Sequence, residues 1–247
     1  MLRSEALLRR VAFVKKSIVL LSGGLDSTVN FKKSVDLGEA RLVLTFDYGQ
    51  RSAPREVASA RAMAKRYGCP FRAMKLDWLA QITHTALVDR KKRLPSPSLR
   101  ALDDIRDAAL QTAKAVWVPN RNGVFINTAA ALAEGLGCSQ IVVGFNAEEA
   151  ATFPDNSADF IAAANRALGL STLAKVRVVC YTTKLDKKSV VRLGRRINAP
   201  FDLMWSCYEG RPGMCWRCES CLRLRRALTA TGNWDWFSSR SPSRKIK

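Results

Sequence analysis

The chain has 247 residues, 47% of them hydrophobic and 25% charged, which allows one α/β domain with a substantial core and a small appendage. No apolar run reaches the roughly 18 residues that a membrane helix needs, so a membrane span is not expected. A formal charge of +20 and a pI near 10.2 call for anionic partners, among them nucleotides, nucleic acid and acidic lipid, and charge alone does not choose between these.

Residues 1–16 place Arg3, Arg9, Arg10, Lys15 and Lys16 around Leu7, Leu8, Val11 and Phe13. The apolar stretch is too short for a secretory leader, so the segment reads as an N-terminal extension on a cytoplasmic protein, with an Arg-rich organelle presequence as the alternative. Residues 17–21 (SIVLL) form a buried-type strand that runs into two glycines, and 27–35 read as a helix. A second such strand covers 41–46 (RLVLTF), followed by a helix over 54–67 with Pro54 at its start and Gly68 at its close. Residues 71–76, 141–144 and 176–180 supply three more strands, with helices over 124–136 and 158–168 between them. Strands alternating with helices specify an α/β fold with a doubly wound, mainly parallel sheet covered on both faces. Clustered Arg90, Lys91, Lys92 and Arg93, with Pro95 and Pro97, make 90–98 a mobile surface loop. From Asp202 onward glycine, proline and cysteine become dense, and the chain ends in a basic stretch with few apolar residues.

The first strand ends in Leu21-Ser22-Gly23-Gly24-Leu25-Asp26-Ser27-Thr28. Glycines there let backbone approach a ligand closely, and the free N–H groups of the following helix face an anion. The hydroxyls of Ser22, Ser27 and Thr28 add donors, and Asp26 can position Mg²⁺ or cap the helix. No lysine follows the glycines, which excludes a Walker A loop, and Ser27 stands where a dinucleotide fingerprint needs glycine. The bland alternative is a serine-capped glycine turn.

Cys207, Cys215, Cys218 and Cys221 read C-x₇-C-x₂-C-x₂-C. Two-residue gaps bring sulfurs to one point, and four thiolates make a closed tetrahedral Zn²⁺ site, structural because it has no open position. An iron–sulfur cluster and four free thiols are the competitors. Arg211, Arg217, Arg223, Arg225 and Arg226 crowd the segment and are expected to offset the charge of a metal–thiolate centre. His84, the only histidine, reads as a plain surface residue, which excludes any mechanism built on a histidine pair.

SGGLDS after a buried strand resembles the PP-loop of ATP pyrophosphatases, and the rest of the chain narrows the likeness. Residues 205–210 (WSCYEG) with 215–223 (CWRCESCLR), 118–122 (VPNRN), 144–149 (GFNAEE), 153–155 (FPD) and Lys188 before a helix are similar to the 7-cyano-7-deazaguanine synthase family, in its order and spacing from about residue 17 to 228. The resemblance implies the adenine nucleotide alpha hydrolase-like fold, and with the reading of composition the chain is expected to divide into the extension 1–16, an ATP-binding and substrate domain 17–204, a zinc-binding module 205–230, and a basic disordered tail 231–247. It implies ATP-dependent conversion of 7-carboxy-7-deazaguanine and ammonia to the nitrile, with cofactors ATP, Mg²⁺ and Zn²⁺, and commonly a homodimer. A nucleic-acid partner is compatible with the charge but not required.

Ser22, Asp26, Ser27 and Lys188 are the expected catalytic residues. Leu21, Gly23, Gly24, Leu25, Thr28, Asp47, Tyr48, Gln50, Arg51, Arg121 and Asn122 complete the nucleotide and anion site. Glu148, Glu149 and Asp155 are candidates for reading the guanine-like N–H edge, since a carboxylate accepts two parallel donors. Departures from the family pattern are Trp216 where the knuckle usually has glycine, Glu149 near a usual aspartate, and Asn156-Ser157 where a cysteine and an arginine are common. The missing arginine leaves Arg121 as the nearest cation by motif. A tRNA-modifying PP-loop enzyme, such as a sulfurtransferase or lysidine-type ligase, is the alternative, and a zinc-ribbon nucleic-acid binder is the non-enzymatic one.

Overall fold

The structure, a computed structural model, describes residues 15–98, 102 and 113–241. Only Lys15 and Lys16 of the expected extension 1–16 fall within them. Strands β1 (Ser17–Leu20), β2 (Ala40–Asp47), β3 (Phe71–Lys75), β4 (Gln140–Val142) and β5 (Arg177–Val179) form one sheet in the order β3-β2-β1-β4-β5, with every neighbouring pair parallel. This is the α/β arrangement that the strand–helix alternation predicts.

Alternation along the strands sorts the core into two layers. Val19, Val43 and Val142 face one side, where α1 (Leu25–Asp36), α2 (Ala53–Arg66) and the C-terminal helices pack. Ile18, Leu44 and Ile141 face the other, covered by α4 (Arg121–Gly135) and α6 (Ala158–Ser171), while the short α3 (Asp77–Ile82) follows β3. The chain winds outward from β1 through β2 to β3, then returns to β4 on the opposite flank of β1. The crevice above the β1 and β4 C-termini is therefore the topological switch point, where open α/β sheets bind ligands.

Three more helices follow: α5 (Ala147–Ala150) just after β4, α7 (Lys187–Arg196) after β5, and α8 (Glu219–Ala230) in the cysteine-rich part. Cys207, Cys218, Cys221, Leu224 and Leu228 are buried in the same apolar cluster as Val19, Leu21 and Val43, so the cysteine segment rests on the sheet's own core. The stretch 231–247, expected as a disordered tail, contains helix α9 (Trp234–Ser238), and its Phe237 is buried in that core; residues 242–247 lie outside the described ones. The 90–98 loop has no helix or strand beyond its first turn, but it is tied down: Ser96 Oγ donates to Arg217 O at 2.9 Å, and Pro95 O accepts from Glu219 N at 3.3 Å. Among the described residues no helix is long and apolar enough to cross a membrane.

Candidate active site

At the switch point the glycine loop turns sharply. Gly23 has φ +84°, and a β-carbon there would stand 2.2 Å from Ser59 Oγ of α2, so both conformation and packing demand glycine. Its carbonyl accepts from Trp205 N at 2.9 Å, which ties the loop to the cysteine-rich segment. Gly24 is the N-cap of α1 with extended backbone, its N–H donates to Ser22 Oγ at 3.3 Å, and Ser27 Oγ donates to Gly24 O at 3.1 Å. Gly144, just beyond β4, has a role that the motif alone did not reveal. A β-carbon there would lie 2.4 Å from Ser27 N, so the end of β4 and the first turn of α1 approach closely only because this residue is glycine.

The loop lines a cavity of about 240 Å³ together with Tyr48, Arg121, Glu149 and Lys187. Lys187 Nζ lies 3.0 Å from Asp26 Oδ2 and 2.7 Å from Glu149 Oε1 with its side chain 9% exposed. Burial works against the lysine's charge, but Asp26 and Glu149 override it and hold Lys187 protonated, above the ordinary lysine range. Burial raises Asp26 against the pull of Lys187, whereas burial of Glu149 is outweighed by Lys187 together with Arg223 and Arg121, which hold it below its usual range. Asp26 Oδ1 is buried without a hydrogen-bond partner, the free oxygen that a divalent cation would take.

This corrects the sequence expectation for Lys188, which is 51% exposed and lies 3.9 Å from Asp186. Both lysines open α7, but consecutive side chains on a helix project about 100° apart, so one enters the crevice and the next faces water. Leu21, Ser22, Gly24, Leu25, Asp26, Ser27, Tyr48, Arg121 and Asn122 line the cavity as expected positions. Thr28 does not; it is fully buried and its hydroxyl contacts Met63 Sδ at 3.7 Å. Asp47 accepts from Gly49 N, and Gln50 braces the same turn by accepting from Tyr48 N at 2.9 Å and donating to Phe46 O at 3.1 Å. Arg51 reaches away from the cavity to Asp89 O at 2.7 Å.

Arg121 begins α4 and donates to Tyr48 Oη at 3.3 Å. Asn122 donates to Asp155 O at 3.2 Å, and Asp155 in turn accepts from Asn156 Nδ2 at 3.2 Å, so Asp155 braces this turn. Glu148 is turned away from the cavity and meets Arg223 at 3.1 Å, and Arg226 also donates to it. Ser157, at the usual arginine position, caps α6 by accepting from Phe160 N at 3.0 Å. Glu56 lines the cavity without having been expected there.

The sulfurs of Cys207, Cys215, Cys218 and Cys221 all lie within 4.8 Å of one another, a group that can hold a metal. Zn–S bonds of about 2.3 Å in a tetrahedron separate sulfurs by about 3.8 Å, so four thiolates at this spacing fit that ion. Backbone N–H groups point at the sulfurs, from Cys215 to Cys207 Sγ at 3.3 Å and from Cys218 to Cys215 Sγ at 3.3 Å, as suits thiolate acceptors. Trp216 takes φ +55° where glycine is usual, and its ring packs edge-on against Trp234 at 4.9 Å and Phe237 at 6.2 Å. The arginines expected to offset the thiolates are engaged elsewhere: Arg211 and Arg217 face Glu209, Arg223 pairs with Glu219 and Glu148, Arg226 with Glu148, and Arg225 covers Trp234.

The family model described as "Queuosine biosynthesis protein QueC" matches residues 16–232. The chain is 54% identical to a 7-cyano-7-deazaguanine synthase of Pelotomaculum thermopropionicum over 88% of this chain and 98% of the relative. It is 50% identical to one of Desulforamulus reducens over 87% and 94%. Among solved structures, an NMN synthetase from Francisella tularensis covers 95% of this chain and 88% of its own, at 12% identity and a TM-score of 0.46.

Proposed function

The chain belongs to the queuosine biosynthesis QueC family and is an enzyme of the 7-cyano-7-deazaguanine synthase kind, and on that premise we propose that its switch-point cavity converts 7-carboxy-7-deazaguanine to the nitrile with ATP and ammonia. One observation carries the reading: a buried Lys187, ion-paired to Asp26 and Glu149, lies against a glycine-built helix N-terminus. That arrangement sets a lysine ammonium and the positive end of a helix where pyrophosphate would leave.

A carboxylate is a poor electrophile because it is anionic and would have to expel oxide. Its oxygen attacks the α-phosphate of ATP and pyrophosphate departs; ammonia then adds to the acyl carbon and AMP leaves, giving the amide. A second ATP activates the amide oxygen in the same way, and loss of AMP and a proton leaves the nitrile. In this scheme Ser22, Gly23, Gly24 and Ser27 cradle the pyrophosphate, Lys187 offsets its charge, and Arg121 and Asn122 hold an anionic or polar part of the ligands. Asp26 and Glu149 favour the protonated form of Lys187, which suits it to act as a cation, and attack by the substrate's own oxygen requires no covalent nucleophile from the protein. Asp26 would hold Mg²⁺, which supplies charge neutralisation on the phosphates. Cys207, Cys215, Cys218 and Cys221 would hold Zn²⁺, whose closed four-thiolate shell serves the fold.

The same reading treats 17–204 as the ATP and substrate part and 205–230 as the metal part of one cytoplasmic enzyme, which acts as a homodimer and needs no nucleic acid. Incubation of the protein with ATP, Mg²⁺, ammonia and 7-carboxy-7-deazaguanine, with products identified by mass, tests it. The nitrile should form with two AMP and two pyrophosphate per turnover. Release of ADP and phosphate would contradict attack at the α-phosphate.

A further inference from the structure

Three carboxylates line the cavity among the described residues: Asp26, Glu149 and Glu56. The first two share Lys187. Glu56, in the first turn of α2, has no cation within ion-pair distance among the described residues and is held by two neutral donors. Ser52 Oγ donates to Oε1 at 2.6 Å and Gln50 Nε2 donates to Oε2 at 3.0 Å.

The backbone sets the orientation of that Gln50 amide, because its oxygen must accept from Tyr48 N and its nitrogen must donate to Phe46 O. Gln50 can therefore present only N–H to Glu56. Both carboxylate oxygens are acceptors toward the protein, one donor each, and each keeps a lone pair for the cavity. Arg121, the nearby cation, gives its hydrogen bond to the Tyr48 hydroxyl instead. Aromatic rings stand beside the site, with Tyr48 tilted against Phe125 at 5.7 Å between centroids, and both rings line the cavity.

We propose that Glu56 is the specificity residue that reads the guanine-like edge of the substrate, accepting the ring N1–H and the 2-amino group side by side. The assignment rests on the substrate reading above. Two adjacent acceptors match two adjacent donors, and that edge lies on the side of the deazaguanine remote from its reacting carboxylate. Adenine offers one donor beside one acceptor on its corresponding edge and fits the pair poorly. Burial pushes the Glu56 carboxyl above its usual range, and two N–H donors from a ligand stabilise the ionised form that burial disfavours.

Steady-state kinetics on the metal-loaded, full-length enzyme test this with two substrates, 7-carboxy-7-deazaguanine and its analogue without the 2-amino group. The native enzyme should prefer the parent by about 10- to 100-fold in kcat/KM. Glu56→Gln, which places an N–H against the donor edge, should raise KM for the parent by about 10- to 100-fold, leave KM for ATP within about 3-fold, and lose most of the preference for the 2-amino group. Equal preference in both proteins overturns the assignment. So does a rise confined to the KM for ATP, which would give Glu56 to the adenine. Glu56→Asp retains both acceptors on a shorter arm and covers the case of a Gln variant that does not fold: it should keep the 2-amino preference with a raised KM for the parent, and an unchanged KM overturns the idea. A native enzyme that leaves 7-carboxy-7-deazaguanine unconverted refutes the substrate reading itself, and this assignment with it.

Discussion

Lys187 and Lys188 are adjacent, identical in chemistry and both at a helix start, yet one is enclosed by two carboxylates and the other is half exposed to water. Pyrophosphate release assayed on the two alanine variants should separate them. Lys187→Ala removes a desolvated charge that offsets the leaving group and leaves Asp26 and Glu149 facing each other, so kcat/KM should fall by about 100-fold or more. Lys188→Ala removes a solvated side chain and should change it by less than about 2-fold. An effect of Lys187→Ala as small as that of Lys188→Ala would mean that neither lysine meets the phosphates. Gly23 shows the opposite situation, a residue whose role is legible because only glycine suits a strand-to-helix turn, and the contact with Ser59 adds a second reason that only the structure reveals.

At the scale of the element, α7 presents Lys187 because Asp186 starts the helix there: its carboxylate accepts from Ser189 N at 2.8 Å. Removing such a cap, Asp186→Ala, should cost about 1 kcal/mol of stability at pH 7 by denaturant unfolding. The Ser189 hydroxyl and N–H hold the Asp186 carboxyl below its ordinary range. A depressed carboxylate contributes stability that is present above the unfolded value, near 3.9, and is lost as pH falls through the folded value below it. The difference between native and variant proteins should therefore persist from neutral pH down to about 4 and close below that; a difference that grows on acidification would contradict the cap. Helix α9 makes a related point. Residues 231–247 look like a basic tail by composition, but Trp234 and Phe237 have an aromatic partner in Trp216, and the buried Phe237 anchors a helix of five residues.

On the whole-molecule scale, the four clustered cysteines and the first strand share one apolar cluster, and the Gly23 carbonyl is bonded to Trp205 N at the head of the cysteine segment. A structural metal contributes folding energy directly. Cys218→Ser, or a strong chelator, should thus lower the melting temperature of the entire protein in one cooperative transition, with the nucleotide site lost together with the module. Calorimetry showing two separate transitions, with ATP binding retained after the first, would show the module to be independent. Metal analysis of the purified protein should find about one Zn²⁺ per chain.

What the sequence by itself determined was local: an apolar strand running into Ser-Gly-Gly-x-Asp-Ser, four cysteines at metal spacing, and strands alternating with helices. Each is a matter of backbone permission or short spacing, which neighbours in the chain specify. The tertiary structure decided which way those residues face. A step of about 100° along a helix exchanged Lys188 for Lys187, Thr28 and Gln50 turned to core and turn rather than to ligand, and Glu56 entered the cavity from α2, where no motif marks it. These outcomes depend on contacts between segments far apart in the chain, as when Lys187 meets Asp26 from 161 positions away. No local pattern encodes such a pairing, because it exists only once the sheet has brought β1, β4 and α7 to one crevice.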